Sequence, residues 1–443
     1  MSRRVLIVGA GLGGSLLAVY LARAGWQVML AERRGDPRAE NYVSGRSINL
    51  AISARGIHAL ERAGLGEQLL TRGIRMPGRM IHPIAGSPAF QPYSHDANRA
   101  INSVSRSELN LLLLHAACNE RTVEARFELR CVKVDSAAPS ATFARSDGST
   151  ERLDADLIVG ADGAYSAVRG AMQKTDRFDF SQSYLGHGYK ELMIPARPDG
   201  SFAMDRNALH IWPRGSSMMI ALPNPDGSFT CTLFWPWIGA NSFAEIQGDA
   251  TVQAHFERVY PDAVALMPTL LDDFQRNPVG SMVTVRTNPW HLHGKVALLG
   301  DAAHAIVPFF GQGANASFED CEALLDSLTT LPHDQRAALD RYQSMRLRHA
   351  NAIADMALTN FIEMRDKTAS PVFRWKKRVE HALHGMMPNT YVPLYDMISF
   401  STIPYADALE RHQRQQRMLL AGAGVAAALA GVGCVAGISA LLS

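Results

Sequence analysis

Cysteine is scarce here: the 443 residues hold five, Cys118, Cys131, Cys231, Cys321 and Cys434, an odd number with no CxxC pair. That argues against a disulfide-stapled scaffold and favours reduced thiols in a cytosolic compartment. Strong charge of either sign is missing too. With a net charge of +2 and no basic patch interleaved with aromatics, nothing in the chain points to a nucleic-acid partner. There is no HExxH, no GxSxG and no convincing spacing of histidine and carboxylate for a metal. The HxH of His291 and His293 reads as a solvated polar turn before a strand. With nucleophile and metal both lacking, an organic cofactor is expected to carry the chemistry. What is present, 47% hydrophobic and 19% charged residues, is globular in character, and the length implies two intertwined domains plus extras. The start, MSRRVLIVGAG, is expected to run straight into a strand with no cleaved signal.

Charge disappears altogether at the other end. Met418 to Leu442 are 25 residues without a charged side chain, where a spanning helix needs about 20. Arg411, Arg414 and Arg417 precede them, a positive flank that would hold the body of the chain on the cytoplasmic side of a tail anchor. The alternative is a small-residue helix docked on the protein, which would leave the chain soluble and cytoplasmic. Gly433 and Gly437 form a GxxxG whose spacing is near chance in so glycine-rich a run.

Glycine is plentiful where it carries chemistry. VLIVGAGLGGSLLAVYLARAGWQVMLAERR opens with a buried-strand pattern, Val5 to Val8, and turns through Gly9, Gly11 and Gly14 with Gly13 between. Helical periodicity at Leu17, Leu21 and Ala24 then closes at Gly25. A second strand ends at Glu32, next to Arg33. Strand, glycine loop, helix, strand and acid in that order make an ADP-ribose site: glycines let backbone N–H groups approach a pyrophosphate while the acid accepts from a ribose 2′-OH. The first loop by itself does not separate NAD from FAD. A GVGCVAG in the tail lacks the strand before it and the acid after it and is discarded.

Two later segments repeat strand, Asp, turn and helix. In DADLIVGADGAYSAVRGAM the strand Leu157 to Val159 leads to Asp162, Gly163 and then Arg169; in VALLGDAAHAIVPFFGQGANASFEDCEALLDSL it leads to Asp301 and a helix with Phe318, Cys321, Leu325 and Leu328 on one face. An N-terminal GxGxxG, a central DG with its Arg, and a late GDAAH with PFFGQG resemble the three marks of the group A flavoprotein monooxygenases, the aromatic hydroxylases of the para-hydroxybenzoate hydroxylase fold. GRSINLAISARGIHAL, GRMIHP, QPYS, HGYKEL, ALHIWPRG, MMIALPN, NFIEM and YDMISFSTIPYADA narrow this to the branch that hydroxylates kynurenine.

The resemblance implies FAD as cofactor, NADPH or NADH as reductant, O2 as co-substrate and L-kynurenine as small-molecule substrate, hydroxylated on the ring carbon beside its amino group within tryptophan degradation. It implies that Asp301 bonds the ribityl or pyrophosphate region and that Arg106, in SRSEL, offsets phosphate charge. Pro308 to Gly313 would line the flavin ring, with Gly313, Ala314 and Asn315 contacting the cofactor and Pro308 and Phe309 also contacting the substrate; Ala314 stands where many relatives carry Met. Arg79 and Tyr93 match positions that bind the amino-acid carboxylate, and Asn360 and Tyr395 match two further substrate contacts. No catalytic acid or base is named. Read singly, Asp301 could instead be a helix N-cap, and Arg79 and Arg106 exposed surface arginines. Another aromatic substrate on the same fold, or a flavin reductase, are the competing functions.

The expected fold is α/β: a Rossmann-like FAD-binding domain (1–75, 100–175 and 278–330) interleaved with a β-sheet substrate domain (76–99 and 176–277), a C-terminal helical segment (331–417) and the hydrophobic helix 418–442. Within the sheet domain Leu209 and Ile211, then Met218, Ile220 and Leu222, then Phe234 alternate at period two and make one apolar face. That face is covered by a helix or forms the wall of a pocket over the flavin. HGYKEL, His187 to Leu192, has no evident role, and the number of subunits is open.

Overall fold

The computed structural model describes residues 3–39, 48–367, 380, 384–387, 390–419 and 421. The charge-free tail beyond 421 lies outside them. Among the described residues no helix is long and apolar enough to cross a membrane.

Val5 to Val8 are apolar on both sides because they form a central strand of a mostly parallel sheet, covered on both faces. Its six strands run His291–Leu292, Val296–Leu298, Leu157–Gly160, Arg4–Val8, Gln27–Ala31 and Val123–Arg126. Only the first of these pairs antiparallel to its neighbour. The helix Leu12–Arg23 ends as the glycine signal implies: Ala24 is the C-cap and Gly25 takes φ +86°, a left-handed turn that glycine enters without strain. Gly313–Thr330 packs beside it, burying Phe318, Cys321, Leu325 and Leu328.

The second layer is a seven-stranded sheet in the order Gly280–Asn288, Asp179–Ile194, Phe229–Pro236, Met218–Pro223, Ala208–Pro213, Gly78–Ile81 and Ala89–Pro92. Sequence reading ended this sheet at residue 277. Gly280–Asn288 extends it, pairing antiparallel with Asp179–Ile194 before the chain returns to the parallel sheet at Val296.

The period-two strands sort their side chains to two environments. Trp212, Met219, Leu233 and Trp235 pack against Val252, Phe256, Tyr260, Leu270 and Phe274 of the helices Asp249–Val259, Pro261–Val264 and Leu270–Arg276. The opposite face, with Ile211, Met218 and Phe234, turns toward Val307, Phe309 and Phe361. Helices therefore cover one face and a cavity opens on the other.

HGYKEL is divided by the same alternation. The Lys190 ammonium is buried and donates to the carbonyls of Phe274 and Asn277, both at 2.6 Å, at the C-terminal end of Leu270–Arg276. A cation there satisfies orphan carbonyls and the negative end of the helix dipole. Tyr189, one residue earlier, faces the cavity.

The 28-residue helix Gln335–Ile362 and the short helix Leu394–Ser399 close the molecule around these two sheets. Arg55, wholly buried, ties the latter down: its guanidinium donates to the carbonyls of Ile398, Met397 and Ile403, pairs with Glu319 at 2.6 Å and stacks on Tyr405. Four cysteines are described, and all are free thiols.

Candidate functional site

A cavity of about 620 Å³ runs without interruption from the first glycine loop to the apolar face of the large sheet. Its first end is built where the strand Arg4–Val8 hands over to a helix. Gly9 holds φ +107°, and a Cβ there would sit 2.5 Å from the Ala161 carbonyl oxygen; a Cβ on Gly13 would meet Ser317 Oγ at 2.3 Å. At both positions neighbouring protein atoms leave no room for a side chain, whereas the space beside Gly11 is open. Gly11 is the helix N-cap and no side chain caps it, so the N–H groups of the first turn are left for something else to satisfy. Glu32 stands at the end of the next strand, and its carboxylate accepts from Ala10 N and Arg34 N, both at 3.0 Å, which fixes the loop to the acid.

The DG and GDAAH turns meet the same cavity from the neighbouring strands. Asp162 accepts from Ser166 Oγ at 2.5 Å and Ala167 N at 2.7 Å, while buried Arg169 reaches across to the Ala302 carbonyl at 2.9 Å and joins the two turns. Burial raises the Asp162 carboxyl above the usual range. Asp301 caps no helix, since Gly300 is the N-cap and no side chain bonds there. Its carboxylate lines the cavity and has no hydrogen-bond partner among the described residues. The surrounding protein partly desolvates it and pushes its pKa up, against the opposing pull of Arg106 and His304, although its side chain is exposed to the cavity. Behind the turn, Asp320 takes Gly300 N at 3.1 Å, His304 Nε2 at 2.5 Å and Arg346 Nε at 2.7 Å. Gly313–Thr330 also begins uncapped at the cavity wall.

The far end is apolar with a few polar groups. Leu209, Ile211, Met218, Ile220, Leu222 and Phe234 line it from the sheet, and Pro308, Phe309 and Phe310 from the opposite side. Phe309 stacks on Phe361 at 4.1 Å and tilts against Phe234 at 4.9 Å. Arg79, on Gly78–Ile81, carries its guanidinium 5.5 Å from the Tyr93 ring and 5.9 Å from the Tyr395 ring, and those two rings stack at 4.9 Å. Arg79 Nε and the Tyr93 hydroxyl are buried with no hydrogen bond of sound geometry. A buried guanidinium N–H without a partner is costly, and a carboxylate is its natural partner. Asn360 donates to the Phe309 carbonyl at 2.6 Å, leaving its amide oxygen free to accept.

Most of the residues singled out in the sequence come together in this cavity: Gly9, Gly11, Gly13, Glu32, Arg33, Arg106, Asp301, Gly313 and Ala314 at one end, with all the substrate candidates at the other. Two do not. Gly14 lies off the cavity because its place is close strand-to-helix packing: a Cβ would fall 1.9 Å from Gly9 O. Asn315 turns away from it. Its side chain accepts from Ser53 N at 3.0 Å and donates to Ala51 O and Gly311 O, which braces the turn instead of facing a ligand. His291 also departs from expectation: it is 9% exposed and bonds Asp340 at 2.9 Å, so it is paired rather than solvated. Among the described residues no cluster could hold a metal. Sequence reading missed Tyr189, Thr232, Met282 and Met364 as cavity-lining residues. Met282 and Thr232 keep the same alternation as their neighbours; Met364 is brought in by a π turn that no sequence period announces.

The arrangement fits FAD. The uncapped helix and the open space beside Gly11 suit a pyrophosphate, Glu32 a ribose, Arg106 the phosphate charge, and the uncapped Gly313–Thr330 helix an electron-rich ring edge.

Comparison with known proteins agrees. The profile of the FAD binding domain family matches residues 2–357. The chain is 49% identical over 402 residues to the kynurenine 3-monooxygenase of Myxococcus xanthus, covering 90% of this chain and 86% of that one. It is 46% identical over 431 residues to the enzyme of that name from Dictyostelium discoideum, covering 95% and 93%. Among solved structures, a 2-methyl-3-hydroxypyridine-5-carboxylic acid oxygenase superposes with a TM-score of 0.68 at 20% identity, covering 84% of this chain and 95% of that one. That likeness speaks to the fold alone. With the family profile spanning most of the chain and close relatives matching nearly end to end, the chain belongs to the kynurenine 3-monooxygenase family of FAD-binding hydroxylases.

Proposed function

We propose that the protein hydroxylates L-kynurenine at the ring position next to the amino group, using FAD, NADPH and O2. The observation that carries this is Arg79: a half-buried guanidinium whose buried Nε lacks a partner, flanked by two stacked tyrosines, at the apolar end of a cavity whose other end suits FAD. FAD, when bound and reduced, supplies the activation of O2. The chain's own part is to bind, orient and exclude water. Arg79 takes the amino-acid carboxylate in a fixed fork, and the phenols of Tyr93 and Tyr395 orient it without competing charge. The Asn360 amide oxygen accepts from an N–H of the substrate, while Phe309, Phe234 and the sheet face hold the aromatic ring in a dry slot.

Among the described residues, no carboxylate or histidine lines the apolar end of the cavity. This favours an arylamine, already neutral and electron-donating, over a phenol that gains from deprotonation before attack.

We assign Gly9, Gly11, Gly13, Glu32, Arg33, Arg106, Asp301, Gly313 and Ala314 to FAD, and propose that segment 418–442 anchors the protein to a membrane. The latter rests on its charge-free length and the arginines before it.

The deciding experiment is NADPH consumption by the purified yellow protein with and without L-kynurenine, with mass spectrometry of the product. A kynurenine-dependent rate and a product heavier by one oxygen atom support the reading. Absence of both would move it to another aromatic substrate.

A further inference from the structure

Tyr93 and Tyr395 belong to segments some 300 residues apart, and the residue following each is unusual. Ser94 and Asp396 are 4% and 1% exposed, and Ser94 Oγ donates to Asp396 Oδ2 at 2.6 Å. Arg99 donates to the same oxygen at 3.0 Å through a side chain that is 35% exposed. The loop holding Ser94 and Arg99 is itself stiffened, since Asp96 N bonds Ser94 Oγ at 3.3 Å and Asp96 carries Asn98 N at 2.9 Å. His95 of this loop packs against Gly385, and His384 lies 3.9 Å from the Asp396 carboxylate. A carboxylate taken out of water at this cost needs its partners, and it finds them only when the short helix Leu394–Ser399 is seated on the 93–99 loop.

We propose that Ser94, Asp396 and Arg99 form a latch whose function is to position the stacked tyrosines around Arg79, making them positioning residues for the substrate's carboxylate end. Resting on the reading of Arg79 given above, it extends that site by one layer. Arg55 holds the far end of the same helix through its carbonyls, so Tyr395 is fixed from two sides: by the FAD-binding region through Arg55 and by the large sheet's edge through Ser94. The latch touches neither the cavity nor the ring-binding slot. Its loss acts on the geometry of the tyrosine pair and leaves the FAD end intact.

The test uses full-length, FAD-loaded protein and reads L-kynurenine affinity by calorimetry, beside FAD content, thermal midpoint and steady-state kinetics. Ser94→Ala is expected to weaken binding roughly tenfold, the scale of a hydrogen bond to a charged group, with KM rising by a similar factor and kcat kept within about twofold. Ser94→Thr, which keeps the hydroxyl, restores affinity. Arg99→Gln, at a part-exposed position that folding tolerates, shifts it in the same direction by a smaller factor and carries the test if Ser94→Ala does not fold. Unchanged affinity in Ser94→Ala and Arg99→Gln, while Arg79→Ala weakens binding, would overturn the latch alone. Failure of Ser94→Thr to restore affinity would also overturn it, as a packing defect. If Arg79→Ala binds like the parent, the assignment of the carboxylate site falls, and the latch with it.

Discussion

At the scale of single residues, the site divides into groups that face a ligand and groups that hold those in place. Arg79 belongs to the first kind. Arg79→Ala should raise the KM for L-kynurenine on the order of a hundredfold, as expected when one partner of a desolvated charge pair is removed, with FAD content unchanged. Steady-state kinetics and flavin absorbance check both halves. Gly13 is limited by sterics: alanine there drives a methyl into Ser317 Oγ and to 2.8 Å from Leu299 Cδ2. Gly13→Ala should therefore lower FAD occupancy in the purified protein, measured as the ratio of flavin to protein absorbance. The glycine loop and Glu32 were legible in the sequence because their chemistry is local, with strand, turn, helix and acid falling within about thirty residues. Asn315 and Gly14 misled for the opposite reason. Each sits in a motif that touches the cofactor region, but the side chain of one and the space beside the other are spent on neighbours brought in by folding.

At the scale of elements, alternation did most of the predictive work. Leu209, Ile211, Ile220, Leu222 and Phe234 were placed on one face by period two alone, and they line one wall of the cavity. What alternation does not reveal is which side of a sheet meets solvent, helix or ligand, so the choice between a helix-covered face and a cavity wall was undecided until the layers were assembled. HGYKEL shows the same limit. Its lysine had no evident role in the sequence and is the buried cap of Leu270–Arg276, held by two carbonyls and the Phe274 ring at 4.6 Å. Desolvation lowers its pKa. Replacing it by an isosteric apolar chain, Lys190→Met, strands both carbonyls and should cost on the order of 1–3 kcal/mol of stability. Urea denaturation reads this as a lower midpoint at constant slope.

At the scale of the whole molecule, three buried histidines set an acid limit. His210, His255 and His349 are each pulled down to about 4, first by burial. In each, Nδ1 is within hydrogen-bond reach of a neighbouring N–H: His82 Nε2 at 2.8 Å, Arg258 at 3.3 Å and Ala406 N at 3.2 Å. A native pKa below the unfolded value means that unfolding takes up protons, so stability is full above about pH 6.5 and drains as pH falls toward about 4. The slope is up to about 1.4 kcal/mol per pH unit for each histidine. Asp162 and Asp301, whose carboxyls are raised, act with the opposite sign at the acid end of that window. Urea midpoints should therefore fall steeply between pH 6.5 and pH 5; a flat profile would contradict these assignments. Removing residues 418–443 should yield an FAD-loaded, active protein that no longer sediments with membranes, which fractionation of the two forms would show.

The sequence by itself determined whatever is encoded in short spans: the dinucleotide fingerprint, the period of each strand, the uncharged tail and, through its motifs, the family. Only the tertiary structure decided how residues hundreds of positions apart share one cavity, that Arg55 and Asp396 tie the helix Leu394–Ser399 to the rest of the fold, and that Arg79 is half-buried with Nε unpaired. The physical reason is that spacing along a chain records local backbone geometry, whereas burial and pairing of charge depend on which surfaces meet. That is fixed by packing the two sheets and their helices together.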